Sequence, residues 1–235
     1  MTIEGAISVK AAINGKKREV SKVYISKEKK TKDFNYIRKI ARMNEIPVLE
    51  LEQEELLQYL KGKSHGGVGA EVSSRKDDTF ADGDIFYLDG IEDPFNLGYA
   101  LRTLYAFGFM NVLLSERDYS GMEAQLFKSS AGAYDMLNVK VAGNALEEIR
   151  NYKKDGYHLY GLYRGDDSKD IFEERFERKT LIMLGGEKRG ISSELLELCD
   201  NYLYIPYGSS FRNALNACSA LDVTATLLFK QRKKQ

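Results

Sequence analysis

Apolar residues in the second half of the chain fall in short runs separated by connections of helical length. Six of these runs predict β-strands, at residues 85–89, 112–115, 138–142, 158–163, 181–184 and 202–205. Helical patterns are expected in every gap between them. Runs without polar alternation, such as LIML, are typical of strands buried on both faces. The pattern therefore predicts an α/β fold with a parallel sheet, and a ligand site beyond the carboxyl ends of its strands.

The first 75 residues show a separate alternation of helices and strands. Helices are predicted at 6–14, 32–44 and 52–60, and strands at 22–26, 46–51 and 69–73. The helix at 32–44 is predicted to bury Phe34, Ile37, Ile40 and Ala41. The polar residues that follow show no apolar period. We therefore predict a small α/β domain at 1–75, a linker at 76–84 and a second domain at 85–235.

The longest regular helical pattern lies near the C-terminal end. Small and apolar residues recur there at three- and four-residue spacing, namely Ala214, Ala217, Cys218, Leu221, Ala225 and Leu228. Asn213 is predicted as the N-cap of this helix. The polar loop 208–213 places backbone N–H groups at a positive helix end, where a small ligand can bind. An ordinary loop before a helix that docks on the core explains the same pattern.

Composition indicates a globular protein and argues against several other classes. Hydrophobic residues make up 43% of the 235 positions, and no apolar run approaches the roughly 18 residues of a membrane span. The first residues lack the features of a secretory signal, so no leader is expected. The cysteines and histidines show no metal-binding spacing, so neither a disulfide framework nor a metal site is predicted. These features favour a cytoplasmic protein.

Charge is distributed unevenly, although the formal net charge is zero. Residues 1–75 contain 15 Lys and Arg against 10 Asp and Glu, a balance of +5, and the remainder contains 20 against 25, a balance of −5. The basic residues cluster at Lys16, Lys17, Arg18, Lys22, Lys27, Lys29, Lys30 and Lys32. Such a cluster suits contacts with phosphate groups, and a solvated surface explains it equally well.

The loop after the strand at 85–89 leads into a helix that carries an arginine. Asp93 and Pro94 suit the start of this helix. Arg102 lies one turn beyond Gly98, so its guanidinium can pass over the glycine toward Asn96. An arginine beside an amide suits a phosphate or a ribose hydroxyl. An exposed arginine on an amphipathic helix is the alternative.

Two further loops carry polar groups toward the same edge of the predicted sheet. After residues 181–184, Gly185 and Gly186 allow close backbone approach, and Glu187 is expected to point into the crevice. The spacing is that of neither a P-loop nor a dinucleotide fold, and a glycine turn with a surface glutamate is the alternative. In the third loop, Asn216 is predicted on the second helical turn, facing the same site.

Taken in chain order, these motifs resemble those of the SpoU, or TrmH-like, RNA ribose 2′-O-methyltransferases of the SPOUT superfamily. The matching residues are Asn96-Leu97-Gly98 through Arg102, Gly185-Gly186-Glu187 through Gly190, and Ile205-Pro206 followed by Leu215-Asn216-Ala217. At the front, IEGAISVKAAI, VYIS and SHGGVGAEV are similar to the family's ribosomal-protein L30e-like substrate-binding domain. The resemblance therefore covers nearly the whole chain.

The resemblance implies a fold, a cofactor and partners. The fold is a SPOUT domain with a deep trefoil knot, which is an exception to unknotted topology. The cofactor is S-adenosylmethionine, held by Gly185, Ile205 and Leu215, with Leu162 as a further candidate. The partners are RNA, with rRNA favoured over tRNA, and a second copy of the chain, because the family's active site forms at a homodimer interface. Neither a membrane nor a metal is expected.

The resemblance also implies catalytic roles, with Arg102 at the chemical step. Because arginine keeps its proton, we expect Arg102 to grip the target phosphate and ribose and to stabilise developing alkoxide charge. Asn96, Glu187 and Asn216 are expected to orient Arg102 and the nucleotide, with Glu187 as the partner of the guanidinium. The family usually has serine where this chain has Ala214. A catalytically weak or inactive RNA-binding homologue is therefore the alternative function.

Overall fold

The computed structural model describes residues 1–62, 65–186 and 189–234. The chain divides into two compact units. The first contains Met1–Lys76 and Tyr119–Leu137, and the second contains Asp77–Asp118 and Asn138–Gln235. The segment Tyr119–Leu137 falls within the range predicted for the second domain, and in the structure it packs with the first unit.

The first unit contains a four-stranded sheet and three helices from its N-terminal segment. The strands are β1 (Thr2–Glu4), β2 (Val20–Ser26), β3 (Val48–Leu51) and β4 (Val68–Val72), and the helices are α1 (Ala6–Gly15), α2 (Lys32–Met43) and α3 (Gln53–Leu56). The sheet order is β1-β4-β2-β3, with β2 and β3 parallel and the other pairs antiparallel. All six predicted elements are confirmed, although α3 ends four residues before the predicted boundary. Strand β1 was not predicted, because three residues are too few to show a period of two.

Helix α2 shows why prediction succeeds here. The Thr31 hydroxyl caps it by accepting a hydrogen bond from the Phe34 N–H at 3.4 Å. Its buried residues are those predicted, namely Phe34, Ile37, Ile40 and Ala41. A cap and an amphipathic stripe are both local features, so the sequence alone is sufficient to locate the helix.

A buried ion cluster fixes Tyr119–Leu137, which includes α5 (Glu123–Ser129), within the first unit. The Arg18 guanidinium binds the Asp135 carboxylate through two contacts, Nε to Oδ2 at 2.8 Å and Nη2 to Oδ1 at 3.1 Å. Its Nη1 also lies 3.1 Å from Glu123 Oε2, and Arg75 Nη1 lies 3.3 Å from Asp135 Oδ1. The guanidinium of Arg18 sits 4.6 Å from the centre of the Phe127 ring.

The second unit contains a seven-stranded sheet in which every neighbouring pair is parallel. Its strands are β5 (Ile85–Asp89), β6 (Asn111–Leu114), β7 (Asn138–Val141), β8 (His158–Leu162), β9 (Lys169–Asp170), β10 (Thr180–Gly185) and β11 (Asn201–Tyr204). Their order is β7-β6-β5-β10-β8-β11-β9. All six predicted strands are confirmed. The two-residue edge strand β9 was not predicted, because it is too short to show a pattern.

The expectation of a helix in every gap is wrong for residues 163–179. That connection contains β9 and turns instead of a helix. Local side-chain hydrogen bonds explain the difference. The Ser168 hydroxyl accepts from the Gly165 N–H at 2.9 Å, and Asp170 Oδ1 accepts from the Phe172 N–H at 2.8 Å. Such bonds hold the backbone in turns and compete with helix formation.

Four helices lie in the described part of the second unit, and the longest two pack side by side. They are α4 (Pro94–Phe107), α6 (Ala145–Lys154), α7 (Ser193–Leu196) and α8 (Ala217–Arg232). The predicted start of α4 is confirmed, because Asp93 Oδ2 accepts from the Asn96 N–H at 2.8 Å. Helix α4 lies against α8, where the Thr103 hydroxyl donates to Asp222 Oδ1 at 2.7 Å. None of the helices in the described ranges is long and apolar enough to cross a membrane.

The predicted start of α8 is wrong. Its N-cap is Asn216, whose Oδ1 accepts from the Cys218 N–H at 2.8 Å, and not Asn213. Ala214 therefore lies before the helix and is exposed, whereas the buried stripe contains Ala217, Leu221, Thr224, Ala225 and Leu228. Both asparagines are good caps by composition. A contact outside the helix favours the later start, because the Leu215 N–H donates to the Tyr207 hydroxyl at 3.1 Å.

Candidate active site

A cavity of about 460 Å³ opens at the carboxyl ends of three neighbouring strands of the second unit. Leu162 is the last residue of β8, Gly185 is the last of β10, and Ile205 follows the last residue of β11. Leu215, from the loop before α8, completes this set on the cavity wall. The structure thus brings together all four residues that the sequence analysis assigned to a cofactor. Their position is the one where open parallel sheets bind ligands.

The turn after β10 explains why glycines occupy this wall. The Gly186 N–H donates to the Asp89 carbonyl at 2.6 Å, and the Gly190 N–H donates to the Gly186 carbonyl at 3.0 Å. A Cβ added at Gly185 would lie 2.1 Å from the carbonyl carbon of Gly190, and one at Gly186 would lie 2.2 Å from the Gly90 carbonyl oxygen. These distances are too short for any side chain, so the glycines allow the turn to pack on itself.

Asn96 and Asn216 lie at neighbouring ends of α4 and α8. The Cys218 thiol donates to the Asn96 carbonyl at 3.0 Å, which joins the first turns of the two helices. The expectation that Asn216 lies on the second helical turn is wrong, because it caps α8 and its Oδ1 binds the Cys218 N–H. The cap thus occupies this side-chain oxygen.

Arg102 lies on the exposed face of α4. Within residues 1–62, 65–186 and 189–234 its side chain makes no hydrogen bond or ion pair, including none with Asn96. Phe95 and Tyr99 share this face at helical spacing and are 48% and 50% exposed. Glu187, the predicted partner of the guanidinium, lies outside the described residues. A cation and two rings are therefore available to a partner on this face.

Two cavity residues that the sequence analysis did not single out make specific contacts. Arg164 Nη2 donates to the Ile205 carbonyl at 2.8 Å, and its guanidinium carbon lies 4.0 Å from the centre of the Tyr207 ring. The Tyr207 hydroxyl in turn accepts from Leu215. The only sequence signal is that Arg164 follows a predicted strand and Tyr207 follows the Ile-Pro pair. Among the residues described, no cluster of side chains suited to a metal ion is present.

Family models match both parts of the chain. The model of the SpoU rRNA Methylase family matches residues 84–226. A model described as RNA 2′-O ribose methyltransferase substrate binding matches residues 2–77.

Several known proteins resemble this chain in sequence or structure over most of its length. The 23S rRNA (guanosine-2′-O-)-methyltransferase RlmB of Xylella fastidiosa is 29% identical over 98% of this chain and 96% of its own length. The mitochondrial rRNA methyltransferase 1 of Schizosaccharomyces pombe is 26% identical over 93% of this chain and 86% of its own length. The SpoU methyltransferase AviRb from Streptomyces viridochromogenes, solved in complex with AdoMet, superposes with a TM-score of 0.80. It is 20% identical, and the alignment covers 99% of this chain and 90% of AviRb.

Proposed function

Because the chain belongs to the SpoU rRNA methylase family of RNA 2′-O-ribose methyltransferases, we propose that it transfers a methyl group from S-adenosylmethionine to a ribose 2′-hydroxyl of ribosomal RNA. The observation that carries this proposal is the convergence of the four candidate cofactor residues, Leu162, Gly185, Ile205 and Leu215, on one cavity. They come from three strand ends and one loop, which are separated along the chain.

The cavity has the size and chemistry that S-adenosylmethionine requires. Its volume of about 460 Å³ is within the usual range for small-molecule sites, roughly 300–1,000 Å³. Leu162, Ile205 and Leu215 offer aliphatic surface to the adenine ring, and Gly185 and Gly186 line the cavity without a side chain. When bound, the cofactor supplies a methyl group on a positively charged sulfur. The role of these residues is to hold it and to exclude water.

Arg102 has the position and chemistry of a group that grips RNA. It is exposed on α4 and unpaired with any described residue, so its guanidinium is available for a phosphate or a ribose oxygen. A fixed positive charge at that point stabilises the alkoxide that forms when the 2′-hydroxyl loses its proton. Asn96 and Asn216 stand at the neighbouring helix ends and orient the nucleotide. Glu187 completes this set as the partner of Arg102.

The protein acts as a homodimer, in which a second copy packs against Phe95 and Tyr99 of α4 and leaves Arg102 open to RNA. The first unit, which we propose to be L30e-like, contacts RNA phosphates through its exposed lysines, namely Lys16, Lys27, Lys29, Lys30 and Lys32. Arg18, which the sequence groups with them, is instead buried against Asp135 and Glu123. The last segment of the second unit forms the trefoil knot of the family. The site of action is the cytoplasm.

Methyl transfer from labelled S-adenosylmethionine to separate rRNA and tRNA fractions tests this function directly. The proposal expects a labelled rRNA nucleotide that resists alkaline cleavage, and loss of labelling in Arg102→Ala. Arg150→Ala is a matched control, because Arg150 is also an exposed arginine in a helix of the second unit. It is expected to retain activity.

Two outcomes would change the proposal. Labelling of tRNA alone would move the substrate from rRNA to tRNA. Binding of RNA without transfer to either fraction would favour the inactive homologue, for which Ala214 on the cavity wall is the supporting observation. Ala214→Ser would then be the variant to test for restored transfer.

A further inference from the structure

One wall of the cavity is a loop that belongs to no regular element. It runs from Ile205 to Leu215, between the end of β11 at Tyr204 and the start of α8 at Ala217. Two of the four proposed cofactor residues therefore lie at the two ends of this loop. Neither residue is part of a helix or a strand, so their positions depend on side-chain contacts.

Two side chains provide those contacts. Arg164, just beyond the end of β8, donates from Nη2 to the Ile205 carbonyl at 2.8 Å. Tyr207 accepts on its hydroxyl from the Leu215 N–H at 3.1 Å. The Arg164 guanidinium carbon lies 4.0 Å from the centre of the Tyr207 ring, well inside the roughly 6 Å reach of a cation–π contact. The contacts run in series from Leu215 through Tyr207 and Arg164 to Ile205.

We propose that Arg164 and Tyr207 are positioning residues that hold the two ends of the loop in the geometry that binds the cofactor. This inference rests on the proposed function of the cavity. If these residues hold the loop, the cofactor site is already ordered before the cofactor binds. Less of the cofactor's binding free energy is then lost in ordering the loop. Both side chains also line the cavity, so the same contacts shape its wall.

The chemistry of the two residues is specific enough to be tested by conservative changes. Tyr207→Phe keeps the ring over which Arg164 lies and removes only the acceptor for Leu215. Arg164→Lys keeps the charge but loses the planar guanidinium that combines the ring contact with the bond to Ile205. Arg164→Met keeps a long apolar stem and loses both interactions. The three variants thus separate the links of the series.

Isothermal titration with S-adenosylmethionine on the full-length protein measures the effect. Because one hydrogen bond at a partly exposed site is lost, Tyr207→Phe is expected to raise the Kd about three- to tenfold. Arg164→Met, which loses two interactions, is expected to raise it about tenfold or more, with Arg164→Lys in between. Tyr105→Phe is the matched control, because the Tyr105 side chain is exposed on α4 and its hydroxyl makes no hydrogen bond with the described residues.

Kinetics distinguish positioning from a general structural defect. The proposal expects KM for S-adenosylmethionine to rise with Kd, while kcat at saturating cofactor and KM for RNA change less than about twofold. Circular dichroism melting curves are expected to match the wild type. Equal Kd values in wild type and all three variants would overturn the positioning role but leave the proposed function intact. Failure of the wild-type protein to bind S-adenosylmethionine would overturn both.

Discussion

The buried ion cluster around Arg18 is expected to contribute strongly to the stability of the first unit. Arg18→Met replaces the guanidinium with an apolar chain of similar length. The side chains of Arg18 and Asp135 are fully buried, and that of Glu123 is only 8% exposed. Losing one partner of a buried pair typically costs about 3–5 kcal/mol, because the remaining charge has neither water nor a counter-ion. Because Arg75 remains beside Asp135, Arg18→Met is expected to lower the free energy of unfolding by about 3 kcal/mol, at the lower end of this range.

The control for this prediction is an exposed ion pair in the same unit. Lys10 Nζ lies 2.9 Å from Asp33 Oδ1, and the two side chains are 26% and 57% exposed. Because solvent screens such pairs, Lys10→Met is expected to lower the free energy of unfolding by only about 0–1 kcal/mol. Adding Glu123→Gln to Arg18→Met removes the charge left without its partner. It is therefore expected to recover part of the lost stability, which simple loss of packing would not explain.

Hydrogen–deuterium exchange followed by mass spectrometry measures the effect locally, which is needed because a protein with two units need not unfold in one step. Peptides from residues 1–62 and 119–137 are expected to lose protection in Arg18→Met. Peptides from β5 and β10 are expected to keep theirs. An equal loss in Arg18→Met and Lys10→Met, or a loss confined to the second unit, would refute the reasoning.

Three further predictions concern the second unit. Gly185→Ala is expected to weaken S-adenosylmethionine binding more than about tenfold in titration, because the new Cβ would lie 2.1 Å from the carbonyl carbon of Gly190. Gly208→Ala is the control. A Cβ there meets open space, so this variant is expected to bind the cofactor normally. Burial tends to raise the pKa of the Asp200 carboxyl. The hydrogen bond that this carboxyl accepts from the Leu159 N–H at 2.8 Å nevertheless holds the pKa below its ordinary value. The resulting stabilisation is complete above the unfolded pKa of about 4 and is lost as pH falls through the folded pKa. The difference in free energy of unfolding between wild type and Asp200→Asn should therefore shrink from pH 7 to pH 3, and a constant difference would contradict this. Burial raises the pKa of the Cys199 thiol to about 12. At pH 8, alkylation of Cys199 by iodoacetamide should be at least about tenfold slower in native than in denatured protein, and equal rates would show that the thiol is accessible.

Sequence reasoning places a helix correctly where its signals are local, and it fails where contacts between distant residues decide. Helix α2 was predicted with its buried face because its apolar residues recur at helical spacing within a few positions of one another. The start of α8 was misplaced because Asn213 and Asn216 are equally suitable caps, and the Tyr207 contact to Leu215 favours the later one. A contact between side chains of different loops leaves no periodic signal.

The sequence by itself determined the α/β class, six of the seven strands of the parallel sheet and the order of the motifs that identify the family. These features depend on spacing within a few residues, where periods of two and 3.6 relate pattern to backbone. Only the tertiary structure decided that Tyr119–Leu137 packs in the first unit, through Arg18 and Asp135, which are 117 positions apart. It also decided that Arg164 and Tyr207 hold the cavity wall. Burial and pairing of distant groups depend on how the chain folds back on itself, and no local pattern encodes them.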